Sequence, residues 1–224
     1  YTGEAAEPSA FLEAYKAGPG RSLSAIKGAS SVELYTPLPI DDPKIDDGPA
    51  PLMAVQVRFE GLIAAEAALR DDALSAALAD FQTLAVRDWQ LSYEIVTGEP
   101  VRGAGETNPS TTAVPVCYFV RYERPADDEA QFIEYYCKHH TALMTQLPAI
   151  QRCEVYTPLG WTDTLPVDRA DHMLLCDTSF ETSDALNAAL RSDVRDLLRE
   201  DFHSLPAFEG RCTHFGTQRT RLLP

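Results

Sequence analysis

The chain has 224 residues, 45% of them hydrophobic and 24% charged, enough for one large or two small globular domains. Its formal net charge of -15 makes phosphate backbones and anionic lipid poor partners, and no apolar run exceeds strand length, so nucleic acid and membrane are not expected to be partners. Five cysteines, odd in number and without a Cys-x-x-Cys pair, argue against a disulfide framework or a zinc site and for free thiols in a cytoplasmic protein without a leader peptide.

In chain order, a helix is expected from about Pro8, a strand near Val32 to Thr36, a strand near Leu52 to Phe59, a helix from about Leu62 to Phe81, and a strand near Gln90 to Val96. The Pro-rich loop holding Asp41, Asp42, Asp46 and Asp47 reads as a solvated charged segment in preference to a cation site. Residues 98–112, rich in Gly, Thr, Glu and Pro, read as a linker between a first unit at 1–97 and a second at 113–224. The second unit opens with a strand over Val114 to Tyr122. A helix follows, with Asp128 and Gln131 in capping-box spacing and an apolar stripe through Ile133, Tyr136, His140, Met144 and Leu147. Pro148 ends that helix. Then come a strand near Gln151 to Thr157, a long loop, a strand over His172 to Phe180, a helix over Ser183 to Phe202, and a last strand over Gly210 to Gln218.

The two units share one sequence. At an offset of 121, Phe11 meets Phe132, Tyr15 meets Tyr136, Tyr35-Thr36-Pro37-Leu38 meets Tyr156-Thr157-Pro158-Leu159, and Asp80-Phe81 meets Asp201-Phe202. Without a gap, 22 of the first 81 positions are identical, far above the twentieth or so that ordinary residue usage gives by chance. The second unit reads β-α-β-β-α-β, the split βαβ order, and the first follows the same order from its helix onward; the helices cover one sheet face and leave the other bare. The expected fold is therefore α+β: two ferredoxin-like βαββαβ repeats whose sheets face each other as a single-chain dimeric α/β barrel. Tyr1 falls at the end of the strand that opens the second unit, so a further strand is expected before it.

All five histidines and all five cysteines lie in the second unit, and Pro19, between Gly18 and Gly20, stands where the second unit has His140. Chemistry is therefore expected in the second unit, with the first as scaffold. His140 sits in the centre of its apolar stripe, aimed at the sheet, and imidazole exchanges protons near neutral pH. Tyr136, one turn earlier, and Tyr118 on the strand are placed to orient a substrate oxygen. His214 joins them if its strand face is the helix-covered one, and Trp161 in the long loop is placed to cap the mouth or simply to pack the loop. His139 and His140 point apart and are not a metal pair, so no metal site is expected.

The stretch Phe132, Tyr135-Tyr136, His140, Leu143 and Leu147-Pro148 resembles the EthD-like branch of the dimeric α/β-barrel superfamily, with Ala142 and Ala149 where that branch usually has Pro and Gly. The resemblance implies a small-molecule enzyme without an organic cofactor, of oxygenase, cyclase, dehydratase or decarboxylase type, acting on an apolar aromatic or polyketide-like compound. Two other readings stay open: a non-catalytic small-molecule binding protein, and a haem protein with His140 or His214 as axial ligand. Homodimerisation of the pseudo-dimer is also open.

Overall fold

A computed structural model describes residues 1–48, 50–101, 115–162, 165 and 167–223. The first half comprises β1 (Thr2–Ala5), α1 (Pro8–Ala17), α2 (Pro19–Ser24), β2 (Ser31–Pro37), β3 (Ala54–Arg58), α3 (Leu62–Ala68), α4 (Asp72–Gln82), β4 (Val86–Gln90), β5 (Ser92–Tyr93) and β6 (Val96–Pro100). The second comprises β7 (Val116–Glu123), α5 (Glu129–Tyr135), a π-helical turn (Tyr136–His140), α6 (Thr141–Met144), β8 (Arg152–Pro158), β9 (Asp168–Arg169), β10 (His172–Phe180), α7 (Ser183–Leu190), α8 (Asp193–Phe202) and β11 (Cys212–Leu223). No helix among the described residues is long and apolar enough to cross a membrane.

Helix starts follow from local chemistry. The Asp128 carboxylate accepts from the Gln131 N–H at 2.9 Å and the Thr182 hydroxyl from the Ala185 N–H at 3.1 Å, satisfying first-turn donors that have no partner within the helix. Each long helix expected from the periodicity is broken. Residues 62–82 divide at Asp71, which caps α4 through the Ala73 N–H, and residues 183–202 divide at Arg191 and Ser192.

Seven strands form one curled, antiparallel sheet in the order β3-β2-β11-β7-β10-β8-β6, with β1-β4 and β5-β9 as two-stranded additions. The pairing registers recur at the offset read in the sequence. Ser31 faces Arg58 as Arg152 faces Ser179, and Tyr35 faces Ala54 as Tyr156 faces Leu175. Thr217 faces Pro37 as Val96 faces Pro158, and Arg219 faces Tyr35 as Gly98 faces Tyr156. The last strand of each half thus lies against the second strand of the other. The segment expected to be a linker from Gly98 accordingly begins as part of β6; 102–114 lie outside the described residues. Gly98 is required by close packing, since a Cβ there would lie 2.7 Å from Glu154 Oε1 and 2.8 Å from the Tyr156 ring.

Side chains alternate across this sheet. Val116, Tyr118, Val120 and Tyr122 pack under the helices with Phe132, Tyr136, Leu186 and Leu190, while Val32 and Leu34 do the same with Phe11, Tyr15 and Phe81. The opposite face is buried as well, and it is polar. Arg58 donates to both Glu154 oxygens at 2.9 and 2.8 Å, Tyr156 donates to Glu154 at 2.8 Å, and Tyr35 donates to Glu33 at 2.9 Å. Arg152 also pairs with Glu154, and Arg219 lies 3.9 Å from Glu33. Asp177 is wholly buried among them; burial raises its carboxyl pKa against the pull of Arg152 and Arg219.

Candidate active site

His140 closes the π turn that interrupts the helix between α5 and α6, an insertion often found at functional positions. Its ring packs on Tyr136 at 4.8 Å between centroids, and its Nδ1 lies 2.7 Å from Asp201 Oδ2 on α8. An ionised carboxylate can only accept, so Nδ1 carries the hydrogen and Nε2 keeps a free lone pair. Tyr135 donates to the other Asp201 oxygen at 3.1 Å. Burial lowers the imidazole pKa, Asp201 opposes that by hydrogen bond and charge, and Arg195 adds to the lowering. The ring is therefore neutral near pH 7.

It lines a cavity of about 40 Å³ together with apolar Val120, Met144, Leu186 and Phe202, and with Tyr118, Arg195 and His214 on its polar side. That volume holds roughly two or three waters. His214 does lie on the helix-covered face. Its Nδ1 is 2.8 Å from Asp47 Oδ2, and its backbone N–H donates to the same oxygen at 2.7 Å. Burial lowers its pKa too, against Asp47.

The charged loop of the first half is largely exposed, as a solvated segment would be, but it is also tied to the other half through Asp42, Ile45 and Asp47. Residues 38–48 form a strap across the second half. Asp42 Oδ2 accepts from Tyr118 at 2.8 Å and from Arg195 Nη2 at 3.1 Å, and Asp42 Oδ1 accepts from the Lys44 N–H at 2.9 Å. Burial pushes the Asp42 pKa up, but these donors and the Arg195 charge outweigh it and hold the carboxyl below its ordinary value. Asp41 pairs with Arg191 and Lys44 with Asp196 at the exposed rim, while Ile45 enters the His140 cavity. An open cleft of about 500 Å³ lies between the strap and the sheet, sharing Ile45, Tyr118 and His214 with the inner cavity.

The structure thus brings His140, Tyr118 and His214 together. Tyr136 stands behind the imidazole in the core, its hydroxyl 3.5 Å from Met144 Sδ, so it supports the ring instead of facing the cavity. Trp161 is elsewhere: it packs on Tyr93 of the first half at 6.0 Å, under the Arg169 guanidinium, beside the β5-β9 pair. Each long loop reaches across to the opposite half, which places Trp161 away from His140 and the strap over it. Asp201, Arg195, Asp42 and Asp47 were not singled out from the sequence as site residues. Asp201 left one signal, its recurrence as Asp80; there the carboxylate accepts from Ser22 at 3.3 Å, beside the helix start made by Pro19.

These histidines predict a pH effect on stability. Their folded pKa values lie below the ordinary value of about 6.5, so the unfolded chain takes up protons that the folded chain resists. Stability should fall as pH drops through about 6.5 and level off below the folded pKa values. Urea midpoints at descending pH should show the decline, and His140→Gln should shrink it; an equal decline in the variant would remove His140 as a contributor.

No family model matches the chain, and neither does any curated protein. Solved structures do. An anthrone oxidase-like protein is 9% identical with a TM-score of 0.58, over 99% of this chain and 90% of that one. A "putative monooxygenase" of Lactobacillus acidophilus NCFM is 9% identical with a TM-score of 0.50, over 94% of this chain and 87% of that one. An EthD family protein of Bacillus halodurans C-125 is 21% identical with a TM-score of 0.37, over 45% of this chain and 95% of that one. The two longer matches are likenesses of fold.

Proposed function

We propose that the chain is a tandem duplication folded as a single-chain dimeric α/β barrel of two ferredoxin-like units, with one working site in the second unit. The registers that recur at the sequence offset, and the reciprocal placing of β11 on β2 and β6 on β8, support this. We further propose an enzyme of proton-transfer chemistry on an apolar aromatic or polyketide-like compound, with His140 as general base and no organic cofactor. The observation that carries it is the His140–Asp201 pair on an apolar cavity, which fixes the tautomer and leaves Nε2 bare. In the first step Nε2 takes a proton from an acidic C–H or O–H; the electron pair stays on the substrate, and the imidazolium formed is held by Asp201. The names of the two longer matches are those of small-molecule enzymes and agree with this reading.

Anthrone, with its acidic methylene, is the probe. The protein should accelerate hydrogen–deuterium exchange at that carbon, followed by NMR in deuterium oxide. His140→Gln should lower the catalysed rate by about 10²–10⁴ with the fold intact. Full exchange in the variant would sink the assignment, and anthrone binding without acceleration by the unaltered protein would make it a binding protein.

A further inference from the structure

Asp42 looks out of place as a latch. It comes from the opposite half of the chain, yet it is more deeply buried than the rim pairs Asp41–Arg191 and Lys44–Asp196. One of its oxygens receives both a hydroxyl and a guanidinium N–H. Burying a charge is costly unless it is well paired, and here the pairing is incomplete: Arg195 is buried, and its Nε has no hydrogen-bond partner among the described residues. A guanidinium fork offers parallel donors suited to a planar carboxylate, and Asp42 engages only Nη2. Tyr118 lines both the inner cavity and the outer cleft, and Arg195 lines the inner cavity beside it. With Ile45 in it the inner cavity is too small for an aromatic ligand, whose sites usually span about 300–1,000 Å³, so any such ligand needs the strap displaced; the cleft beneath the strap already falls within that range.

We propose that Arg195 and Tyr118 form a receptor for the carboxylate of an aromatic acid, and that Asp42 occupies it when no ligand is bound. The ligand's carboxylate displaces Asp42, the strap moves off with it, and Ile45 leaves the space that the aromatic ring then takes beside His140. This rests on reading the His140 cavity as a small-molecule site, and it adds the substrate class: an apolar ring system bearing a carboxylate. Self-occupancy reduces apparent affinity by the fraction of molecules in which the receptor is filled.

The test is isothermal titration with 2-naphthoate and its neutral counterpart 2-naphthalenemethanol. Asp42→Asn should bind naphthoate about tenfold more tightly than the unaltered chain, and the alcohol, which gains the ring space but no ion pair, should change by less. Arg191→Gln, which loosens an exposed latch and leaves the buried pair intact, should shift naphthoate in the same direction by less. Arg195→Gln should abolish the preference for acid over alcohol. The proposal is overturned if Asp42→Asn does not bind naphthoate, or if Asp42→Asn and Arg191→Gln both leave its affinity unchanged. It is equally overturned if acid and alcohol bind alike throughout. His140→Gln separates the two readings: retained acid preference with undiminished anthrone exchange would remove the general base and leave the receptor standing.

Discussion

Asp201→Asn is expected to reduce catalysed anthrone exchange by about 10²-fold or more, approaching the effect of replacing His140 itself. The carboxylate accepts the Nδ1 hydrogen at 2.7 Å and so keeps Nε2 deprotonated. An asparagine amide can donate to Nδ1 instead, which moves the hydrogen to Nε2 and blocks the base. Asp201 is a positioning residue, and a merely structural role would leave a different signature. Because Asp201 raises the His140 pKa against burial, its loss should move the ascending limb of the residual pH–rate profile to lower pH. A variant with full exchange, or with reduced exchange on an unmoved limb, would contradict this role.

The largest stability effect is expected from the polar face of the sheet. Glu154 is buried and receives Arg58 through both oxygens, Tyr156 through one, and Arg152 besides. Glu154→Ala leaves two guanidinium groups without their carboxylate, for which a loss of about 3–5 kcal/mol is typical. For a chain of this length that lowers Tm by roughly 10 °C. Arg58→Ala should cost less, since Arg152 still compensates Glu154, and the two changes together should be clearly less than additive. Chemical denaturation of the two single variants and the double variant measures this; additive losses would mean that the groups do not act as one network.

Much of the frame was legible because it is local or repeated. Alternation placed β7, β10 and β11 within a few residues, and the offset of Tyr35 onto Tyr156 foreshadowed a pairing register that the structure repeats. His140 was legible as the centre of an apolar stripe, and His214 depended on a strand face that alternation alone left open. What escaped reading is what joins the halves. Periodicity reports which face of an element is buried, but not which half of the chain buries it. Asp42 and Asp47 therefore looked like loop charges, and Trp161 read as either a cap on the pocket mouth or simple loop packing, with no sign of which half it would pack on. The π turn escaped for another reason: it adds a residue to a helix without any Gly or Pro to mark it. Glu33 and Glu154, identical across the offset, sit on the strand faces opposite the helices, and the pattern gave no sign that this buried face would be built from charged groups.

The exchange of terminal strands bears on how the molecule comes apart. Melting β2 and β3 strips β11 of one neighbour, and melting β8 strips β6 of its partner, so neither half has a complete sheet to retreat to. An arrangement of beads on a string would let one half open while the other persists, with two separable transitions. Here the halves share their hydrogen-bond ladders, and calorimetry should find a single all-or-none melt whose van't Hoff and measured enthalpies agree.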